Sequence, residues 1–231
     1  MTVRMGLIRK RADWTFEEFS TYWREQHGAL ARQAPSLREY WQNPVVDRLQ
    51  RGIEFARGPW ELDGFSQLSF DDAKQSDHAF NNSGMAAELI KDERHFIGEL
   101  HIVTAEQSVV IPVPAKEERS RLLKRMSIIK RLPSMSESDF RREWKVHGDF
   151  VRKMSGVSAY RQNVIVTREL SKGKPNSYEE FPIDGIVELW FKDVPTLEAT
   201  FNSPQGKETM AHAKTFLSEI TAFVVEERQI L

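Results

Sequence analysis

Two histidines of this sequence stand where a side chain could carry acid–base chemistry, and each is followed by a glycine. His27 continues an apolar helical stripe that begins with Phe19 and Trp23, and His147 lies on a corresponding stripe of a second helix. Histidine titrates near neutral pH, so it can take a proton from an activated carbon or oxygen and return it. An isolated histidine on such a stripe is more often a structural residue, hydrogen-bonded within the core. The residue types therefore admit both roles.

The elements that must position these histidines occur twice. Segment 5–10 (MGLIRK) matches segment 126–131 (MSIIKR), which lies 121 positions further along. After one residue is deleted in the second copy, segment 40–43 (YWQN) matches segment 160–163 (YRQN). Further matches are the Asp-Gly pairs at 63–64 and 184–185 and the Phe-Asn pairs at 80–81 and 201–202. Because the correspondence covers almost the whole chain of 231 residues, the sequence is a tandem duplication.

The duplication predicts two units joined by a short linker. We expect the first unit at residues 1–112, the linker at 113–124 and the second unit at 125–231. Pro112 and Pro114 disfavour a regular element where the linker begins, and its mixed charges favour contact with water.

Each unit has the pattern of a split βαβ fold. Capping signals open the first helix of each unit, at Thr15 and Glu18 in the first copy and at Ser136 and Asp139 in the second. Strands are predicted at 3–9, 37–45, 64–70 and 101–110, and again at 126–131, 159–166, 185–191 and 221–227. With a second helical stretch in each unit, the order is β-α-β-β-α-β, the ferredoxin-like arrangement of the α+β class.

A single unit of this kind would leave one face of its sheet bare, because its helices cover only the other face. Two sheets that pack face to face bury both surfaces in a joint barrel. The sequence thus predicts two tandem ferredoxin-like units packed sheet to sheet, as an intramolecular pseudo-dimeric α+β barrel. Further pairing of whole chains into a homodimer stays open.

Composition restricts the partners and the chemistry. The net charge is −1, so no basic field would attract nucleic acid or an anionic membrane. No run of 18 apolar residues and no signal-peptide pattern is present, so we expect a cytoplasmic protein. Because cysteine is absent, disulfides, thiolate nucleophiles, zinc clusters and iron–sulfur centres are excluded. No metal-ligand spacing and no phosphate-binding glycine motif occurs, so we expect neither a metal ion nor a nucleotide.

The order of these motifs resembles the EthD-like family of the dimeric α+β barrel superfamily. The shared features are an aromatic-xxx-Trp helix ending in His-Gly, a Tyr-x-Gln-Asn strand, an Asp-Gly strand start and a Phe-Asn helix start, all found in both units. The resemblance implies two sheets that form a barrel around a mostly apolar pocket. It also implies that a histidine and a tyrosine of each unit face that pocket, namely His27 with Tyr40 and His147 with Tyr160.

Six further residues are expected to contact a small hydrophobic or aromatic substrate. Gln42 and Gln162 each share a strand face with the tyrosine two positions earlier. The family pattern puts this strand in the barrel wall, although packing and amide hydrogen bonds within the fold are the alternative role. Arg161 stands where the first unit has Trp41 and could anchor a polar substituent. The expected contacts are Trp23, Trp41, Gln42, Trp144, Arg161 and Gln162.

The resemblance also implies a class of reaction. The family includes a cofactor-free isomerase of methylated muconolactones and fungal enzymes that resemble dehydratases or decarboxylases. We therefore predict a cofactor-independent lyase or isomerase for a small, activated aromatic or lactone-like substrate. Histidine would move the proton, and tyrosine would donate a hydrogen bond to an oxygen on which negative charge develops. The alternative is a non-catalytic barrel that binds a hydrophobic ligand or haem, with His27 or His147 as the axial ligand.

Of the two histidines, we expect His27 to carry most of the chemistry. Eight positions separate Phe19 from His27, which preserves two full turns of helix. Seven positions separate Phe140 from His147. This shorter step would turn the second histidine about 100° away from its stripe unless the helix adjusts.

Overall fold

The computed structural model describes residues 2–231, apart from the side chain of Asn81. The first unit contains β1 (Thr2–Lys10), α1 (Phe16–Tyr22), a π-helical turn (Trp23–His27), α2 (Gly28–Ala31), β2 (Glu39–Asp47), β3 (Gly64–Phe70), α3 (Ala73–Asp77), a second π-helical segment (His78–Asn82), α4 (Ala86–Phe96) and β4 (Ile97–Ile111). The linker carries a short helix, α5 (Lys116–Arg119). The second unit contains β5 (Leu123–Arg131), α6 (Glu137–Arg152), β6 (Ala159–Ser171), β7 (Lys174–Pro175), β8 (Gly185–Phe191), α7 (Val194–Asn202), α8 (Pro204–Ala213), β9 (Leu217–Val225) and β10 (Arg228–Gln229). The predicted order β-α-β-β-α-β is confirmed in both units.

The strands form one closed sheet. Within the units the strand orders are β2-β3-β1-β4 and β6-β8-β5-β9, and neighbouring strands are antiparallel. β4 pairs with β6, and β2 pairs with β9 where Val45 faces Val225. The two sheets are therefore joined through hydrogen bonds at both edges, which closes the predicted pseudo-dimeric barrel and leaves neither unit with a free edge there.

The repeated motifs have local structural causes. The backbone amide of Glu18 donates to the Thr15 hydroxyl at 3.2 Å, which caps α1. The Asp-Gly pairs brace the strands that follow them. Asp63 Oδ2 accepts from the Lys10 amide at 2.9 Å, and a Cβ at Gly64 would lie 2.5 Å from the ring of Trp23. Glycine thus leaves the space that the tryptophan fills.

The interior of the barrel is a packed core and not a pocket. Alternate residues of β1, such as Val3 and Met5, point inwards, whereas Arg4 and Gly6 point towards the helices. The inward-facing residues of the other strands complete one buried apolar cluster, including Phe65, Val103, Met126, Ile165, Ile186 and Phe223. The expected pocket inside the barrel is therefore wrong, because these side chains fill that space and the cavities described below lie outside the sheet.

A buried polar network within the barrel connects the two units. Lys124 is 1% exposed, and its Nζ forms ion pairs of 2.8 Å with both Glu188 and Glu227. The same Nζ donates to Asn43 Oδ1 at 3.0 Å and to Gln67 Oε1 at 2.9 Å, across the boundary between the units. Each buried charge thus has a partner, as its removal from water requires.

The linker packs against the barrel and is not simply solvated. Arg119 of α5 is 8% exposed, stacks over Trp41 with its guanidinium carbon 4.0 Å from a ring centroid, and pairs with Glu227 at 2.8 Å. The predicted solvation of this segment is therefore wrong at Arg119, because an aromatic face and a carboxylate hold it down. None of the helices between residues 2 and 231 is long and apolar enough to cross a membrane.

Candidate functional site

Two cavities, one in each unit, lie between the outer face of the sheet and the helices that cover it. The first has a volume of about 40 Å³ and is lined by His27 and Tyr40. The second has a volume of about 50 Å³ and is lined by His147 and Tyr160. The structure thus brings together both predicted histidine–tyrosine pairs. Each cavity has room for only about three water molecules, so a larger ligand enters only if lining side chains move.

Each cavity is completed by the opposite unit. At the first cavity, Glu169 of β6 pairs with Arg4 at 2.6 Å, and Lys172 pairs with Glu93 at 2.5 Å. At the second cavity, Ile53 from the loop after β2 forms part of the lining. The duplication therefore supplies walls that a single unit would lack.

A carboxylate orients His27 in the first cavity. His27 is 7% exposed, and its Nδ1 lies 2.7 Å from Asp92 Oδ2, while the Tyr22 hydroxyl donates to Asp92 Oδ1 at 2.7 Å. Partial burial opposes the charge of Asp92, but the hydrogen bonds from His27 and Tyr22 outweigh it and lower the pKa of the carboxyl. Because an ionised carboxylate only accepts, Nδ1 must be the donor, and Nε2 carries the lone pair whenever the ring is neutral. Among the residues that the structure describes, Nδ1 is the one ring nitrogen of His27 with a hydrogen-bond partner.

The π-helical turn explains how His27 reaches this position. The amide of Gly28 donates to the carbonyl of Trp23, five residues earlier, where an α-helix would use a partner four residues earlier. The turn Trp23–His27 therefore absorbs the extra residue of the first unit. The corresponding α6 of the second unit is a regular α-helix.

Both histidines consequently occupy the same place in their units. His27 packs against Phe96 with ring centroids 5.2 Å apart, and His147 packs against Phe216 at 5.3 Å. The predicted rotation of His147 away from its stripe is wrong, because the first helix widens by one residue and the second needs no adjustment.

Tyr40 is buried and lines the same cavity as His27. Gln42 Nε2 donates to the Tyr40 hydroxyl oxygen at 2.9 Å and to the carbonyl of Trp23 at 2.6 Å. Burial raises the pKa of Tyr40, and the hydrogen bond from Gln42 only partly offsets it. The hydroxyl therefore keeps its proton at neutral pH, and that proton is available to an oxygen in the cavity.

The second unit surrounds its histidine with different groups. His147 Nδ1 lies 3.2 Å from His212 Nδ1, where the first unit has Asp92, and Glu143 lies 3.8 Å from His212 Nε2. Burial, followed by the charge of His212, lowers the pKa of His147 to about 3. Burial also raises the pKa of Tyr160 to about 12. His147 is thus neutral and has no carboxylate at its Nδ1.

The tryptophans and glutamines predicted as contacts separate into two groups. Trp23 and Trp144 line the first and second cavity respectively. Gln42 donates hydrogen bonds to the Trp23 carbonyl and to the Tyr40 hydroxyl. Gln162 does the same, with its Nε2 donating to the Trp144 carbonyl at 2.6 Å and to the Tyr160 hydroxyl at 2.9 Å. Both glutamines therefore hold the tyrosines in place, which is the alternative role considered for them.

Trp41 and Arg161 lie on the opposite strand face from the tyrosines. Trp41 is covered by Arg119, and the guanidinium carbon of Arg161 lies 5.7 Å from a ring centroid of Trp190. Strand alternation separates them from the cavities, since each is adjacent in sequence to a tyrosine that faces outwards. The structure does not bring these two residues to the histidine–tyrosine pairs.

Sequence reasoning missed Asp92 and Tyr22. A signal was nevertheless present in the repeat, because Asp92 stands 120 positions before His212 and Tyr22 stands 121 positions before Glu143. Aligned polar residues on two otherwise apolar helix faces would have pointed to groups near the histidines.

The cavities do not fit the metal or haem alternatives. Across the described chain, no three His, Asp or Glu side chains are grouped to hold a metal ion. A porphyrin is far larger than a space for about three water molecules, and each cavity is of that size. The residues present therefore do not fit haem in either cavity.

Solved structures share this closed barrel with low sequence identity. An anthrone oxidase-like protein matches with a TM-score of 0.63 and 8% identity, covering 99% of this chain and 93% of the other. A protein assigned as a monooxygenase from Lactobacillus acidophilus matches with a TM-score of 0.59 and 8% identity, over 100% of this chain and 94% of the other. A similarly assigned protein from Fusobacterium nucleatum has a TM-score of 0.60 and 8% identity, over 99% and 93%. At this identity the likeness shows the fold.

The fold and the duplicated cavities define a tandem protein of the dimeric α+β barrel class. The EthD domain model matches the chain twice, at residues 11–99 and 132–219, so the chain belongs to the EthD-domain family. No curated protein matches the sequence at a significant level.

Proposed function

We propose that the first cavity is the proton-transfer site of a cofactor-independent lyase or isomerase for a small, activated aromatic or lactone-like substrate. The observation that carries the proposal is the arrangement of His27, whose Nδ1 is fixed by Asp92 while Nε2 remains without a partner in the described chain. Family membership and the enzyme names of the structural neighbours are consistent with a catalytic role.

The proposed step uses two groups. His27 Nε2 takes a proton from a carbon made acidic by a neighbouring carbonyl or aromatic ring. Tyr40 donates a hydrogen bond to the oxygen on which negative charge develops. The protonated histidine then returns the proton, to another carbon in an isomerisation or to the leaving oxygen in a dehydration. Asp92 stabilises the protonated ring between these two events.

Access to the cavity is expected at the π-helical segments. Trp23 and His27 belong to one of them and Phe80 belongs to the other, and all three line the first cavity. Such segments often mark functional sites, since their hydrogen bonding departs from that of an α-helix. The corresponding helices of the second unit, α6 and α7, are regular. This asymmetry, together with Asp92, supports the first cavity over the second.

The test is turnover with defined probes in D₂O. A panel of unsaturated lactones and aromatic β-hydroxy ketones is followed by NMR for deuterium incorporation, isomerisation or loss of water. His27→Gln is expected to lower the rate about 10²- to 10⁴-fold, the usual contribution of one acid–base group. His147→Gln is the matched control and is expected to retain most of the rate. A His27→Gln variant that turns over as fast as the unaltered protein would contradict the proposal.

A further inference from the structure

The second cavity contains a buried cation without a carboxylate partner. Arg125 on β5 is 2% exposed and lines the cavity. Its Nη1 donates to the backbone carbonyl of Arg51 at 2.9 Å, and its Nε donates to the Ser127 hydroxyl at 3.4 Å. Among the described residues, no carboxylate forms an ion pair with the guanidinium, whose carbon lies 4.8 Å from the centroid of the Phe201 ring. Burial alone lowers the pKa of Arg125 to about 9, so the group stays charged at neutral pH.

The equivalent arginine of the first unit shows how the fold satisfies such a charge. Arg4 precedes Arg125 by 121 positions and is 5% exposed. Its Nη1 and Nη2 donate to the two carboxylate oxygens of Glu169 at 2.6 and 3.1 Å. This bidentate pair is the strong form of arginine–carboxylate contact. In the first unit, then, a protein carboxylate pairs with the arginine, whereas Arg125 has only a backbone carbonyl and a serine hydroxyl as hydrogen-bond acceptors.

The remaining lining of the second cavity is mainly apolar. Trp144, Met154, Leu189, Met210 and Ile220 contribute to it. The polar groups that accompany Arg125 are Ser127, Tyr160, Thr209 and the neutral His147, none of which carries a negative charge. A ligand that fits this surface has one anionic end and a short apolar body. The volume of about 50 Å³ limits that body to a few heavy atoms unless the flexible methionines move.

We propose that the second cavity binds a small monocarboxylate whose carboxylate pairs with Arg125 and whose apolar tail packs against Trp144 and the two methionines. A buried cation without a counter-charge is unfavourable, and a bound carboxylate would supply that counter-charge as Glu169 does for Arg4. The site is separate from His27, so the proposal stands independently of the reaction assigned to the first cavity.

Binding of propionate tests the proposal on the unaltered protein. Methionine methyl groups labelled with ¹³C report the location by NMR, because Met154 and Met210 line the second cavity whereas Met5 lies inside the barrel. Propionate is expected to shift the Met154 and Met210 signals with saturation and to leave Met5 unchanged. Propionamide, which has nearly the same shape without the charge, is expected to bind at least tenfold more weakly. Equal binding of the two compounds, or shifts confined to Met5, would overturn the proposal.

Substitution of Arg125 is a second test of the proposal. Arg125→Met is expected to weaken propionate binding at least tenfold, and Arg125→Lys, which keeps the charge but loses the bidentate geometry, is expected to weaken it less. The matched control combines Arg4→Met with Glu169→Gln at the equivalent position and should leave propionate binding unchanged. Loss of binding in the control but not in Arg125→Met would contradict the assignment. If Arg125→Met does not fold, the comparison of propionate with propionamide decides the question.

Discussion

The two histidines differ in the hydrogen-bond partner of their Nδ1 atoms. For His27 it is the carboxylate of Asp92, and for His147 it is the imidazole of His212. A carboxylate fixes the tautomer because it can only accept, whereas a second imidazole can donate or accept and leaves the tautomer undetermined. The preference for His27 thus stays a proposal, now supported by its partner and not by the helix spacing from which it was predicted.

Replacing Asp92 by asparagine should uncouple His27 from its acceptor. We expect Asp92→Asn to lower turnover of any substrate of the first cavity by about 10²-fold or more, because the ring loses both its fixed tautomer and its stabilising charge. Nitrogen-15 NMR of the imidazole would show a changed tautomer population at pH 7. His212→Asn is the equivalent change in the second unit and should leave this rate largely intact. An unchanged rate in Asp92→Asn would remove the carboxylate from the mechanism.

His147 should make the protein sensitive to mild acid. Its pKa is lowered to about 3 in the folded state by burial and by His212, whereas an unfolded histidine has a pKa of about 6.5. The neutral His147 therefore contributes its full share to the free energy of unfolding above pH 6.5. This share is lost as the pH falls towards 3, since the unfolded chain binds a proton at His147 before the folded chain does. We expect the free energy of unfolding to drop by roughly 3 kcal/mol between pH 7 and pH 4 from this group.

The measurement is urea unfolding at both pH values for the unaltered protein and for His147→Gln. The variant should show a smaller loss on acidification, because its side chain does not titrate. Identical losses in the two proteins would mean that His147 is not held neutral by the fold.

At the scale of single elements, the π-helical turn is the feature that separates the first helices of the two units. Deletion of the exposed Gln26 should convert Trp23–His27 into regular α-helix, as in α6, and keep His27 in contact with Phe96. We expect the melting temperature to change by only a few degrees, since the second unit already tolerates this geometry. Turnover should fall if the turn assists entry to the cavity.

The reciprocal insertion of one glutamine after Lys145 is the matched control for this deletion. It should introduce a π-helical turn into α6 without creating the Asp92 contact, and therefore without raising activity. Unfolding of the deletion variant would show that the first unit depends on its extra residue.

Elements with strong local signals were predictable, and those determined by distant contacts were not. The strands at 64–70 and 185–191 were predicted with the bounds of β3 and β8, because each begins at the glycine of an Asp-Gly pair and ends at a phenylalanine. β4 begins at Ile97, earlier than predicted, since the chain passes directly from α4 into the strand. β9 begins at Leu217, also earlier than predicted, after a turn of three residues that follows α8. The contact of His27 with Asp92 spans 65 positions and leaves no local pattern.

The orientation of the strands was also beyond local reasoning. Alternation correctly separates Tyr40 and Gln42 from Trp41, but it does not say which face the helices cover. That choice depends on how the sheet closes through the pairing of β4 with β6 and of β2 with β9. The histidine–tyrosine pairs were expected inside the barrel for this reason, whereas they lie outside it.

On the scale of the whole molecule, each unit depends on the other. Residues 1–112 alone would expose the inward face of their sheet and the edges of β2 and β4. We expect this fragment to dimerise or aggregate, because a second copy can replace the missing strands. Light scattering after size exclusion tests this expectation, with the full chain as reference. A stable monomeric fragment with native circular dichroism would contradict it.

Each unit contributes residues to the cavity of the other, and this arrangement has an evolutionary consequence. In a homodimer of identical subunits, symmetry requires that every substitution alter both sites at once. In this chain Glu169 neutralises Arg4, whereas the corresponding side of the other cavity offers Arg125 only a backbone carbonyl. Once the two copies are fused into one gene, a substitution in one copy alters only one of the two cavities. One site can thereby acquire a new ligand while its twin keeps the ancestral chemistry.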